Sequence, residues 1–563
     1  MGFLFSDIMF RCAEALARYS REAEASVVHF YETKNANYEV FLFGVLMWVT
    51  VTGAKTRMVE RRQKQKAADT VASSSTPTED KIVLDKKASD KMHKVGSLAS
   101  KPDEYPKPKL IPGASIPEIH LHELTSLAAL FPSANAGNSG NSIVYNQIVQ
   151  EDFIIDGIVR KPNSNRGVEA FVRAGPRSSL HFDPTKVNAA IVTCGGLCPG
   201  LNNVIRELVH ALKYLYNNDK IYGIKGGFNG FSDDERYSHV MLDAVSVADC
   251  HHQGGTILAS SRGGFHLDKI IDFLTKYEIS QLYIIGGDGT HRGANAISEE
   301  VINRKLNISV VGIPKTIDND VDLIDRSFGF TTSVEAAQAS IISAKTEARC
   351  NLPNGVGIVK LMGRSAGFIA AHAALGSGDV DLCLVPEVAI QLEGDDGCLP
   401  FIMKRIKQNG HAVVVVAEGA GEELLGQSVE VDAGGNRKLP AIGDFMKQRI
   451  VEYFKKHDME ATVKYIDPSY MIRSVPANAS DALLCMLLAQ NAVHGAMAGY
   501  TGFSVGLVNN RVVYIPIPRL VATSPRFMDA NGRTWERVIA MTRQPNTTST
   551  LADDVVVNSR MVI

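Results

Sequence analysis

Residues 282–321 read LYIIGGDGTHRGANAISEEVINRKLNISVVGIPKTIDNDV. Two short apolar runs, 282–285 and 308–313, each stop at a polar turn, and 293–305 between them carries Ala, Ile and Val at helical spacing. Strand, glycine turn, helix, strand and second polar turn, in that order, form the unit of a doubly wound α/β sheet. Ligands of such sheets bind beyond the carboxyl ends of the strands, so both turns are expected to open onto one crevice. Gly286, Gly287 and Gly289 allow main-chain N–H groups to approach an anion at a helix N-terminus. Asp288 among them is a candidate ligand for Mg2+ on a nucleotide. The second turn supplies Lys315, Thr316, Asp318 and Asp320. Two acids and a lysine facing a phosphate loop predict phosphoryl transfer, with one acid as base. A glycine turn after a strand is often only a tight turn; two such turns one helix apart favour function.

The pattern recurs along the chain. Residues 186–193 (KVNAAIVT) read as a strand ending in CGGLCPGLN, followed by an amphipathic helix over 204–215. Residues 254–264 (GGTILASSRGG) form a glycine and serine segment with one arginine, Arg262. A helix is expected over 333–349, then a strand over 356–361 that ends in Met362, Gly363 and Arg364, then a helix over 368–375. The β-branched run HAVVVVA at 411–417 predicts a buried strand, with Glu418 and Gly419 at its end. Residues 464–473 (KYIDPSYMIR) read as a strand and turn closing on Arg473.

GGDGT followed by PKTIDND resembles the phosphofructokinase family, and within it the plant-like eukaryotic branch of ATP-dependent 6-phosphofructokinases, over about 171–518. The resemblance implies two doubly wound, Rossmann-like α/β lobes with the active site in the cleft between them. Residues 186–330 plus about 474–518 would form the ATP-binding lobe, and 331–473 the fructose 6-phosphate-binding lobe. It implies ATP contacts from Gly196, Arg262, Gly263, Gly287, Asp288, Gly289 and Thr290, with Asp288 on Mg2+. It implies sugar-phosphate contacts from Thr316, Ile317, Asp318, Met362, Gly363, Arg364, Glu418, Tyr470 and Arg473. Asp318 would be the base for the attacking 1-hydroxyl, and Arg364 would bridge sugar and transferred phosphate. Tyr470 and Arg473 match positions for the 6-phosphate. Gly289 and Lys315 bear on the donor: the pyrophosphate-dependent branch has an aspartate at the first position, and it shares lysine at the second. The plant-like ATP branch combines the glycine with the lysine, as here, so ATP is the expected donor. A cytoplasmic, glycolytic homo-oligomer, a tetramer, is also implied. One intersubunit arginine of bacterial members has no counterpart near Gly355, so their subunit contacts and effector site are not carried over.

Composition narrows the alternatives. The net charge of −2, with no long basic run outside the N-terminal tail, gives no sign of nucleic-acid binding. Eight cysteines without a CxxC pair or zinc-type spacing fit free thiols in a reducing compartment. Residues 1–145 read as an extension with one apolar segment at about 38–54 and a disordered linker from 64 to 107. The densest run, VFLFGVLMWVTV at 40–51, is short of the roughly 20 residues that span a bilayer. It suits a membrane anchor with positive flanking charge or a buried or interfacial helix about equally. Cytoplasmic, plastid and membrane-tethered placements therefore stay open. Residues 519–563 read as a polar, peripheral tail. No GxGxxG opens a βαβ unit and no GxxxxGK[ST] is present, which argues against a Rossmann dehydrogenase and a P-loop kinase. A non-catalytic sugar-phosphate-binding subunit is the remaining rival, and retention of Asp288, Asp318 and Arg364 speaks against it.

Overall fold

The computed structural model describes residues 118–132, 149, 151–159, 167–232, 235–426 and 439–548. The apolar segment at 38–54, the linker and the 134–142 loop lie outside these residues. The described chain enters through β1 (Ile119–His122), β2 (Thr125–Ser126), β3 (Phe153–Ile155) and β4 (Val168–Arg173). It continues through β5 (Ala189–Thr193), α1 (Leu201–His210), β6 (Ile221–Ile224), β7 (Val240–Met241) and α2 (Leu267–Lys276). Then come β8 (Gln281–Gly286), α3 (Asp288–Asn303) and β9 (Ser309–Pro314). Helix α4 (Phe330–Cys350) leads to a second sheet of β10 (Gly355–Leu361), β11 (Leu382–Leu384), β12 (His411–Ala417) and β13 (Thr462–Ile466). Its helices are α5 (Phe368–Ser377), α6 (Cys398–Asn409) and α7 (Ile442–Lys456). The turn helix α8 (Ser469–Arg473) and α9 (Ala479–Met497) bring the chain back to β14 (Tyr500–Thr501), β15 (Phe503–Val508) and β16 (Arg511–Pro516). Helices α10 (Ile517–Thr523) and α11 (Arg533–Thr542) follow.

The large sheet runs β1-β4-β16-β15-β9-β8-β5-β6-β7, with β3 also on β4. Its centre, β9-β8-β5-β6, is parallel, which is why the strands are apolar on both faces. Side chains alternate between two cores. Ile191, Tyr283, Ile285, Val311 and Ile313 face a core shared with α1 and α9, while Val192, Leu282, Ile284 and Val310 face one shared with α2 and α3. This is the doubly wound arrangement expected from the sequence. The small sheet, β11-β12-β10-β13, is parallel throughout. One of its faces contributes Val359, Leu361, Val413 and Val415 to the first core, so that core lies between the two sheets.

Two boundaries differ from the sequence reading. The extension expected over 1–145 contains sheet residues: β1 pairs in parallel with β4, and β2 pairs with β14. The polar tail expected from 519 is largely packed through 548: Trp535 is 2% exposed, and Met528 and Val538 join the central core. Gln544 bonds both main-chain groups of Cys383, covering the open edge of β11. Trp535, Val538 and Ile539 do recur at helical spacing, a short amphipathic stripe that the polar composition of 519–563 outweighed in the sequence reading.

Candidate active site

Three strand ends of the large sheet supply the first wall. After β5 the chain turns through Gly195, whose carbonyl accepts from Ser260 Oγ at 2.7 Å, and Gly196. Lys315, immediately after β9, donates from Nζ to the Gly196 carbonyl at 2.7 Å and is 6% exposed. A Cβ at Gly196 would lie 3.7 Å from Arg262 Nη2 and 3.9 Å from Arg473 Nη1. The Gly196 turn, the Arg262 loop and the turn after β13 therefore meet at one point, which is where the two sheets face each other. Burial lowers the Lys315 pKa, and the Arg262 charge lowers it further. Burial pushes the flanking thiols Cys194 and Cys198 up to about 12, so they are neutral and packed rather than reactive.

After β8, Gly287 is the N-cap of α3, and no side chain caps the helix there. The helix starts five residues earlier than the apolar spacing suggested, because Asp288 in its first turn complements the dipole. Asp288 Oδ2 accepts from Arg292 Nε and Nη2 at 3.1 and 3.0 Å, while Oδ1 is sealed from solvent with no hydrogen-bond partner. Thr290 folds back over Gly286. A Cβ at Gly289 would meet no atom within 4 Å, so this position faces open space.

The loop after β9 carries the acids. Asp320 Oδ1 accepts from Thr316 Oγ1 at 2.6 Å, and Thr316 Oγ1 accepts from the Asp318 N–H at 3.2 Å. Asp318 Oδ1 is sealed and has no hydrogen-bond partner. Burial raises the Asp318 pKa to about 8, the neighbouring Asp320 and Glu418 charges push the same way, and Arg364 opposes through its N–H and its charge. Ile317 does not face the cleft: its side chain is 6% exposed and packs in the central core.

The small sheet supplies the opposite wall. Gly363, with φ +133°, turns the chain sharply after β10, a conformation open to glycine. Its carbonyl accepts from the Gly419 N–H at 3.1 Å, which ties the Arg364 turn to the end of β12. A Cβ at Gly419 would lie 1.8 Å from the Arg364 carbonyl oxygen. Gly419→Ala is therefore expected to cost about 2–3 kcal/mol, the scale of an overpacked contact. A lower urea midpoint measures this, and an unchanged midpoint would mean the turn can yield. Burial raises the Glu418 pKa, and Lys360, Arg364 and Arg473 counter it. Met362 packs partly against the core. Tyr470 is 74% exposed and lies beneath the Arg473 guanidinium, 4.7 Å from its ring centroid. Arg473 Nε is buried without a hydrogen-bond partner. Gly263, with φ +77°, is exposed beside Arg262 at the cleft rim.

Sequence reasoning missed the groups behind these walls. Arg526 donates to the carbonyls of Asn319, Ile324 and Asp325 behind the Asp318 loop. Glu387 accepts from the N–H groups of Gly367 and Met528. His291 pairs with the Gly287 carbonyl at 3.1 Å and Ser504 Oγ at 3.0 Å, pinning the first turn of α3. Each acts on main chain or on a distant strand, and such pairings leave no mark in local sequence.

Glycine turns, two arginines and buried carboxylates thus gather where the strands of the two sheets end. A family model described as Phosphofructokinase matches residues 188–496. ATP-dependent 6-phosphofructokinase 7 of Arabidopsis thaliana is 48% identical over 448 residues, covering 78% of this chain and 91% of that one. ATP-dependent 6-phosphofructokinase of Borreliella burgdorferi is 45% identical over 380 residues, covering 66% and 85%. A solved pyrophosphate-dependent phosphofructokinase from Marinobacter aquaeolei superposes with a TM-score of 0.53 at 17% identity, covering 64% of this chain and 92% of that one, which bears on the fold alone. The chain belongs to the phosphofructokinase family, as the two motif turns implied.

Proposed function

We propose that this protein transfers the γ-phosphate of ATP to the 1-hydroxyl of fructose 6-phosphate, a glycolytic step, with Asp318 as general base. One observation carries this reading: a sealed Asp318 oxygen without a partner, beside Arg364, on the strand end next to the one that leads into the open N-terminus of α3. The names of the relatives point to the same reaction. In the proposed lobes, Gly196, Arg262, Gly263 and the Gly287–Thr290 turn hold ATP, while Thr316, Gly363, Arg364, Glu418 and Arg473 hold the sugar phosphate.

Asp318 takes the proton as the 1-hydroxyl oxygen attacks, and its raised pKa keeps it basic enough to do so. The Arg364 guanidinium neutralises charge on the transferred group. Arg473 fits the 6-phosphate because its buried Nε lacks a partner and a guanidinium donates in a fork. Ile317 contributes packing only, and Tyr470 supports Arg473 through its ring.

Mg2+ fits at Asp288, whose sealed Oδ1 has no partner. Among the described residues no group of three or more His, Cys, Asp or Glu is placed to hold a metal, in keeping with an ion held by one carboxylate and substrate phosphates. Bound there, Mg2+ would neutralise phosphate charge.

Pyrophosphate is the second reading, favoured by Lys315 beside the Gly196 turn. Initial rates with fructose 6-phosphate, comparing ATP with pyrophosphate, decide between them. Turnover with ATP alone supports the proposal, turnover with pyrophosphate reverses the donor, and none with either revives the binding-subunit reading. Gly289→Asp sharpens the test, because its side chain enters open space and leaves folding intact. A carboxylate beside a phosphate costs on the order of 2 kcal/mol, so kcat/KM for ATP is expected to fall roughly thirtyfold. An unchanged value would place the phosphates of ATP away from Gly289.

A further inference from the structure

The segment after α10 crosses behind the cleft and touches both walls. The Arg526 N–H donates to the Asp320 carbonyl at 2.7 Å. Its guanidinium donates to three further carbonyls of the same loop: Asn319 at 3.0 Å, Ile324 at 2.8 Å and Asp325 at 3.3 Å. The Asp322 N–H donates to Ser524 Oγ at 3.1 Å. Thus the stretch that follows Asp318 is held mainly through its backbone, by one side chain distant in sequence.

The other wall is held by the same segment. The Arg526 guanidinium lies over the Phe368 ring at 5.2 Å, at the start of the helix that follows the Arg364 turn. Two residues on, the Met528 N–H donates to Glu387 at 2.8 Å. Glu387 also accepts from the Gly367 N–H at 2.9 and 3.1 Å, three residues after Arg364. Burial raises the Glu387 pKa, and these two N–H groups hold it back. The Arg364 N–H also reaches the Asp318 carboxylate directly, and the Arg526 segment is a second tie between the two turns.

We propose that Arg526 is a positioning residue, locking the Asp318 loop to the Arg364 turn so that base and phosphate-bridging arginine keep a fixed separation. The guanidinium suits the task because it is planar, permanently charged and presents several donors at fixed angles. Asn319 adds to the demand for a clamp: it sits at φ +57°, with its side chain accepting the Ser327 N–H at 2.9 Å. A displacement of about 1 Å between reacting groups can cost roughly 10²-fold in rate.

This inference rests on the phosphoryl-transfer reading of the cleft, so its test carries one readout that needs no turnover. Full-length parent, Arg526→Ala and Arg526→Lys would be assayed with ATP, Mg2+ and fructose 6-phosphate, with and without millimolar guanidinium chloride. Hydrogen exchange would follow residues 316–325. Arg526→Ala is expected to lower kcat by roughly 10- to 10²-fold, with KM for ATP within about twofold because its guanidinium bonds fall on the Asn319–Asp325 loop. Guanidinium should restore part of the loss, the lysine variant should fall between, and exchange over 316–325 should quicken about tenfold. Unchanged kcat overturns the proposal. A loss matched by a fallen melting temperature, without guanidinium rescue, makes Arg526 structural only. A parent that is itself inactive sinks the reaction assigned above; the clamp then stands or falls on the exchange result.

Discussion

An Asp318→Asn variant is expected to turn over roughly 10²- to 10⁴-fold more slowly, the scale of a lost general base, and yet to melt at a higher temperature at pH 8. The amide keeps the shape of the carboxyl and cannot take the proton of the 1-hydroxyl. The stability gain follows from linkage. In the folded protein Asp318 titrates at about 8, whereas an unfolded aspartate titrates near 3.9. Between those values the folded state holds a proton that the unfolded state has released, so stability falls as pH rises through this window. Asparagine has no such proton to lose. The melting gain should therefore vanish below about pH 4, grow through neutrality and level off above about pH 8. A gain of a degree or more at pH 8 would be read by calorimetry, and its absence at pH 4 is the control. A variant less stable at pH 8 would show that the sealed oxygen is not under electrostatic stress. Near-parental turnover would remove Asp318 from the role of base.

The parts of this site legible in sequence were those that sit at strand ends. Runs such as 282–285 and 411–417 are apolar on both faces because parallel strands are covered twice, so their ends could be placed and the turns beyond them read. Gly287, Asp288, Lys315, Asp318, Arg364 and Glu418 all follow such ends. Failures came where position depended on partners far along the chain. Ile317 lies within a motif and so looked like a ligand contact, but its side chain points into the core between the sheets. Edge strand β1 alternates Ile-His-Leu-His, but over only four residues and mostly exposed, too short a run to mark a strand. Arg526 lies in a polar stretch and recognises carbonyl oxygens, which every residue has. No local pattern distinguishes an arginine that clamps a loop 200 residues earlier from one on a solvated surface.

Arg364→Met is expected to lower kcat by about 10³-fold, the upper end of what a preorganised donor to a developing oxyanion supplies. The chain trace should survive, because the turn is fixed by backbone: Gly419 donates to the Gly363 carbonyl, and Gly419 itself packs on the Arg364 carbonyl. The substitution thus removes the cation and its fork while leaving the N–H toward Asp318 in place. Two consequences separate Arg364 from a residue that merely binds substrate. Its charge holds the Asp318 carboxyl down from a still higher value, so without it Asp318 must titrate above about 8. The acid limb of kcat/KM, where activity rises as the base loses its proton, should move to higher pH. Arg364→Lys should restore the position of that limb, because the charge returns, but only part of kcat, because an ammonium cannot donate in a planar pair. The pH profiles of the three proteins, taken with saturating ATP and Mg2+, check this. A limb that stays in place while kcat falls would mean that Arg364 acts on the phosphate alone. A limb that moves with kcat intact would mean it only tunes the base. Movement of both is what a guanidinium shared between Asp318 and the transferred phosphate requires.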